Sequence, residues 1–299
     1  MTVWIDTPAW PHRGQMFAHM VSDTSLEELH VVAERAGVHP RAFDRDHYDV
    51  PERLLRACLA AGAVQAPTKR LVQALRDSGL RLTKASARAE REARRERLRD
   101  RWPARALSTH SPALVEDLLD RWSERHRRYH DPRHLEHCLD ALAAIGGAEA
   151  EVELAAWFHD AVYEGRAGDD EEASARLAER ALTGLLPNSH VAEVARLVRL
   201  TAGHQPAAGD DNGMALCDAD LSILGAAPSA YARYCRDVRV EYADVPLRDF
   251  RRGRRRVVAH LSSIDPLYRT RPAVDLWAEQ AATNLATEAA RLDAELSSA

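Results

Sequence analysis

The chain has 299 residues, a formal net charge of -5, 45% hydrophobic and 29% charged residues. That is an ordinary soluble composition, long enough for two domains with separate cores. It excludes a membrane helix, since no run approaches the roughly 18 apolar residues required, and the acidic balance argues against nucleic acid or an anionic membrane as a partner. The opening MTVWIDTPAW lacks the basic and apolar regions of a signal peptide, so a cytoplasmic protein is expected. Cys58, Cys138, Cys217 and Cys235 form no CxxC pair. Neither a zinc knuckle nor a disulfide framework is therefore expected, which suits a reducing compartment.

Residues 1–82 read as a small α/β unit. Thr2–Asp6 is a short strand stopped by Pro8 and Pro11. Ser25 opens a helix that carries acids in its first turn and closes at Gly37. Pro51–Gly62 and Thr68–Gly79 read as two more helices, with strand-like pieces around 42–48 and 63–65. Residues 83–107 form a charged helical linker. Its span 84–101 holds eight basic residues and four acids, with alanines and Leu98 as its only apolar content. Such a run is expected to be solvated, and RNA contact is the minor alternative. From 108 to 299 the periodicity predicts only helices: 112–128, 133–145, 149–163, 170–185, 189–202, 214–224, 228–242, 246–264 and 273–296.

Three segments carry candidate chemistry. In Trp157-Phe158-His159-Asp160, a histidine beside an aspartate in an apolar helix is costly unless the pair is partnered or binds a metal. Adjacent helical residues point roughly 100° apart, so both can reach one ion in the groove between them. Upstream, His134 and His137 share a face at i,i+3 spacing near a helix start at Pro132, and either suits a ligand role. Downstream, Asp218 and Asp220 point in nearly opposite directions on a helix, so only one should reach the same ion.

The ordered set of Tyr129-His130 and His134-Leu135, Trp157 to Tyr163, Asp169 to Ala175, Asp218 to Gly225, and Glu241-Tyr242 resembles the HD superfamily of metal-dependent phosphohydrolases over residues 108–296. Asp170 departs from the usual asparagine, and Arg239 stands one position early. The resemblance implies an all-helical bundle and a mainly α protein. It implies one divalent metal ion (Mn, Fe, Co or Zn, with Mg less suited) held by His134, His159, Asp160 and Asp220, with Asp218 and His137 as alternative ligands. The expected activity is hydrolysis of a small phosphate ester, a nucleotide among the candidates. Asp160 would orient the water, and Glu171 would act as general acid or base unless it belongs to an ordinary acidic helix start. His130, Arg133 and His204 are candidate substrate contacts, while Arg254 in a basic run reads as solvated surface. Members often dimerise. The rival expectation is a non-catalytic metal and nucleotide sensor whose first domain recognises a partner.

The first unit has its own resemblance. Val3 to Asp6, Trp10, His19 to Asp23, Glu28 to His30 and Asp46 to Asp49 are similar to a bacterial domain of unknown function, DUF4031. Asp6, His19, Asp23, His30, His47 and Asp49 form a candidate polar site there, against the plainer reading of turn aspartates and amphipathic histidines.

Overall fold

The computed structural model describes residues 2–12, 14–81, 83–107, 111–166 and 168–297. The boundaries expected at 82 and 108 lie outside these residues. The chain divides into two units, one holding Met1–Arg91 with Tyr242–Asp244 and the other Glu92–Glu241 with Val245–Ala299.

The first unit is a mixed sheet with helices on both faces. Its strands are β1 (Val3–Ile5), β2 (Trp10–His12), β3 (Gln15–Ser22), β4 (Phe43–Asp44), β5 (His47–Pro51) and β6 (Val64–Gln65), and its helices are α1 (Leu26–Arg35), α2 (Leu55–Ala60) and α3 (Thr68–Asp77). The strand order is β4-β5-β3-β1-β6, with β2 paired to β3. The pleat sorts the side chains. Val3, Ile5, Ala18, Met20, Tyr48 and Val50 share one face, where they pack with Leu29, Val32 and Cys58 of α1 and α2. Trp4 and Val21 lie on the other face, against Leu71 and Leu75 of α3. That second face also carries His19, directly opposite Asp49 in the β3–β5 register. Ser25 caps α1 as expected, accepting from the Glu28 N–H at 3.2 Å. The first strand ends at Ile5, before Pro8, as expected, while Pro11 lies in a separate short edge strand, β2, whose partner is the long β3.

In the second unit α4 (Lys84–Asp100), which belongs to it from Glu92 onward, leads into α5 (Pro112–Trp122), α6 (Pro132–Ala144), α7 (Ala150–Phe158), α8 (Asp169–Leu182), α9 (Asn188–Leu200), α10 (Asp211–Asp220), α11 (Pro228–Glu241), α12 (Leu247–Ser263) and α13 (Arg271–Ser297). The protein is mainly α. One core joins Leu98, Trp102, Leu118, Trp122, Leu135, Trp157, Phe158 and Val194. Gly225 closes the turn after α10, where any Cβ would stand 2.4 Å from that of Trp277. The Asp218–Gly225 motif therefore ends in a close backbone approach that only glycine allows.

Two expectations need correction. The second half of α4 is not solvated all round, because one face of it is packed. Leu98 is fully buried, Arg94 and Arg97 each reach Glu136 at 2.7 Å, and Arg95 and Arg99 clasp Glu116. The charge run is matched by acids on α5 and α6, which local sequence cannot reveal. Arg254 is not surface either. It lies buried between α11, α12 and α13, paired through both Nε and Nη2 with Glu288 at 2.9 and 3.0 Å and donating to Tyr234 Oη at 2.8 Å.

Candidate metal centre

Three helix ends deliver the site. Asp131 caps α6, its carboxylate accepting from Arg133 N–H at 2.8 Å, and Pro132 takes the first helical position. This fixes His134 in the opening turn. Helix α7 stops at Phe158, earlier than the periodicity suggested, so His159 is its C-cap and Asp160 lies just beyond. The orphan Ala156 carbonyl of that last turn stands 2.8 Å from His159 Nδ1. A carbonyl can only accept, so Nδ1 carries the proton and Nε2 presents a lone pair. Helix α10 ends on Asp220.

The ligand atoms converge. His134 Nε2 lies 3.1 Å from His159 Nε2. Asp220 Oδ1 is 3.1 Å from His134 Nε2 and 3.6 Å from His159 Nε2. Asp160 Oδ2 is 3.3 Å from His159 Nε2 and 3.7 Å from His134 Nε2. Ligands about 2.1 Å from one ion stand about 3.4 Å apart at tetrahedral angles, so this spacing fits a single cation. Two imidazole nitrogens 3.1 Å apart share either a proton or a cation, because facing lone pairs repel. Cys138, one turn after His134, brings its Sγ to 3.6 Å from His134 Nε2. His134, Cys138, His159 and Asp220 thus form a candidate metal-binding cluster.

The electrostatics agree. Burial opposes charge on His159, Asp160 and Asp220. Asp160 and Asp220 are nonetheless held below the usual carboxylate range by His159 and their other imidazole neighbours, and His159 is raised well above the usual histidine range by the two carboxylates. The cluster draws a proton inward, and a cation answers the same demand.

Around the ligands stand residues that place them. His204 Nε2 meets Asp220 Oδ2 at 2.7 Å, which leaves Oδ1 for the cluster. His204 has a φ of 50° after the end of α9, a left-handed conformation that costs a non-glycine residue roughly 1 kcal/mol or more. Arg127, wholly buried, donates to the carbonyls of His130 at 3.1 Å, Asp160 at 2.6 Å and Ala161 at 3.3 Å. It ties together the loops before α6 and after α7. Glu241 Oε1 accepts the N–H groups of Arg128, Tyr129 and His130 at 2.7, 2.8 and 2.9 Å, while Oε2 meets His130 Nδ1 at 2.8 Å. Burial opposes ionisation of Glu241, yet His130 and these N–H groups hold it down to about 2. Trp122 and Tyr129 lay their rings against His134, at 6.0 and 4.7 Å between centroids. Of these, Tyr129 and Glu241 stand in the sequence motifs and His204 was a candidate substrate contact, whereas Arg127 and Trp122 had no sequence signal.

The other candidates are placed elsewhere. Asp218 turns away, accepting from Arg269 N–H at 2.9 Å and Thr270 N–H at 2.7 Å, and burial raises its carboxyl. His137 Nε2 meets Ser222 Oγ at 2.9 Å. Arg133 pairs with Asp131 at 2.9 Å and Asp237 at 3.2 Å. Glu171 caps α8 by accepting from Gly168 N–H at 2.5 Å. Asp170, the departure from asparagine, holds the preceding loop through Glu164 N–H and Arg166 N–H at 2.9 and 2.7 Å. His130 stacks on Tyr163 beside the cluster, with ring centroids 4.1 Å apart. Asp220→Ala is therefore expected to abolish metal retention at this cluster. Asp218→Ala should keep that metal but lose about 1–3 kcal/mol of stability, because the part-buried N–H groups of Arg269 and Thr270 lose their acceptor. Metal analysis and denaturant unfolding of the two variants check this.

In the first unit Asp6, His19, His47 and Asp49 come together. Asp23 instead accepts from Thr2 N–H and Trp4 Nε1–H at 2.9 and 3.0 Å, and His30 Nδ1 meets Tyr48 Oη at 2.8 Å. Among the described residues, no helix is long and apolar enough to cross a membrane.

Residues 3–78 match a protein family of unknown function, DUF4031. No curated protein and no solved structure matches the chain.

Proposed function

We propose that the helical unit is a metal-dependent phosphohydrolase of the HD superfamily, acting on a small phosphate ester, with nucleotides as the first class to test. The observation that carries this reading is the convergence of His134, His159, Asp160 and Asp220 within 3.1–3.7 Å of one another's imidazole nitrogens, in the motif order of that superfamily. Two imidazoles and two carboxylates suit Mn, Fe, Co or Zn better than Mg. A divalent ion there supplies Lewis acidity toward a phosphoryl oxygen and lowers the pKa of a bound water. The residues of the chain do the rest. His204 orients the Asp220 carboxylate, Arg127 holds the ligand loops in register, and Trp122 and Tyr129 wall the histidines from bulk water. His130, fixed through Nδ1 by Glu241, is the candidate contact for a substrate phosphate at the edge of the cluster. Asp160 is the candidate for receiving the proton of the attacking water. Glu171 is engaged at its helix start, so we give it the lesser acid–base role.

One observation favours the sensor reading. Cys138 could join His134, His159 and Asp220 as a closed four-residue set, and a closed set leaves no position for substrate. Against it, burial and the nearby carboxylates push the Cys138 thiol well up, and a neutral thiol is a poor ligand. The test is phosphate release from nucleotides and sugar phosphates with Mn, Co or Mg added to metal-stripped protein. Metal-dependent release is the expected result. Metal binding without release across the panel selects the sensor.

A further inference from the structure

The DUF4031 unit holds a second constellation whose chemistry is unused by the proposed hydrolase. His19 and Asp49 are a directly opposed pair on β3 and β5, and His47 lies two residues before Asp49 on the same face of the sheet. His19 Nε2 stands 3.7 Å from Asp49 Oδ1, and His47 Nε2 stands 3.4 Å from the same oxygen. One ligand atom from each of the three residues lies within 4.8 Å of the other two.

The far sides of the two rings give the arrangement its meaning. His19 Nδ1 faces Asp6 Oδ2 at 3.3 Å, and His47 Nδ1 faces Asp46 Oδ1 at 2.7 Å. Asp6 is 0% exposed and Asp46 3% by side chain. Each buried carboxylate faces Nδ1 of its ring and leaves Nε2 turned toward Asp49. This is the carboxylate–histidine relay that orients metal-bound imidazoles, and it occurs twice. Asp6 is itself seated by the His19 N–H at 2.6 Å and by Thr68 Oγ1 at 2.8 Å, at the start of α3.

An ordinary surface ion pair does not account for this. Asp49 is about half exposed, and an exposed pair adds little stability. Burying two carboxylates behind two histidines is costly unless a proton or a cation on the imidazole side answers them, and Arg81 Nε approaches Asp46 at 3.9 Å.

We infer that His19, His47 and Asp49 form a transition-metal site of the DUF4031 unit, backed by Asp6 and Asp46. Two imidazoles and one carboxylate select a late first-row divalent cation such as Fe, Co, Ni or Zn over Mg or Ca. With Asp49 about half exposed, the remaining coordination positions face solvent, as in sites that bind a further small ligand rather than closed structural ones.

The test uses the full chain, stripped of metal and dialysed against Co, with bound metal counted per chain. Asp49→Ala changes an exposed side chain and is the first variant; His19→Ala/His47→Ala is the second. Each is expected to bind one equivalent fewer than the parent, or to weaken the affinity of that equivalent by at least about tenfold. The His134→Ala/His159→Ala variant should keep this equivalent. The measurement is a difference from the parent, so it reads the same whether the helical unit binds one ion or none. Equal metal content and affinity in the parent, Asp49→Ala and the double variant, with all three folded by circular dichroism, would overturn the inference.

Discussion

Asp160→Asn should lower metal-dependent phosphate release by at least about 100-fold while leaving the fold intact. The substitution preserves shape and removes one negative charge from a cluster in which Asp160 Oδ2 lies 3.3 Å from His159 Nε2. Residues that merely orient a metal's ligands typically cost 10–100-fold when altered, and a ligand that also receives a proton should exceed that range. Release assays at saturating Mn or Co, with metal content measured on the same samples, separate the two contributions. Lost release with metal retained assigns Asp160 to the water; joint loss assigns it to metal binding. Glu171→Gln is the informative companion, because glutamine also completes the cap on Gly168. Near-parental release is expected, and a comparable loss would move proton transfer to Glu171. Parental release in Asp160→Asn would sink the proposed hydrolase.

The largest stability effect is expected from Glu288→Ala. Glu288 is 4% exposed and Arg254 7%. The carboxylate takes two bonds from Arg254 and one from Tyr231 Oη at 2.6 Å. Burial opposes its ionisation, but Arg254 holds it below the ordinary glutamate value. Removing it leaves Arg254 with Tyr234 Oη and Cys235 Sγ, neither of them a carboxylate. A broken buried pair costs about 3–5 kcal/mol, a large share of the 5–15 kcal/mol of a typical domain. At about 2–4 °C per kcal/mol for a unit of this size, Tm should fall by roughly 6–20 °C. Arg254→Met/Glu288→Leu should recover much of the loss, because the penalty lies in the unpaired charge. The sign with pH follows from the depressed carboxyl. The contribution is present above the ordinary value of 4.5 and is lost as pH falls through the lower folded value. Thermal melts of parent and variant should therefore converge in acid.

Much of this was legible from local pattern. The helices of the second unit follow from three- and four-residue periodicity, and opposite facing on a helix was enough to say that only one of Asp218 and Asp220 could reach an ion. Long-range pairing was not legible. Arg254 sits in a basic run and reads as surface until Glu288, on another helix, closes over it. The arginines of α4 read as solvated because Glu116 and Glu136 lie on helices further along the chain. The strand β3 was missed because Gln15-Met-Phe-Ala-His-Met-Val-Ser22 carries few β-branched residues, and only its partners β1, β2 and β5 hold it extended. Without that strand, His19 could not be set opposite Asp49, so the six candidates of the first unit could not be divided into the four that meet and the two that do not.

Arg127 has a further consequence. Its guanidinium grips both ligand loops through the main-chain oxygens of His130, Asp160 and Ala161, takes Glu124 as a carboxylate partner and lies over the rings of Trp122 and Tyr163. The spacing between His134 and His159 is thus held through backbone carbonyls of their loops rather than through the ligand side chains. On the proposed function, a change of side chain at His130 alters the substrate contact without altering the carbonyl that Arg127 holds. Such wiring lets the proposed hydrolase keep its metal spacing constant while its substrate contact varies.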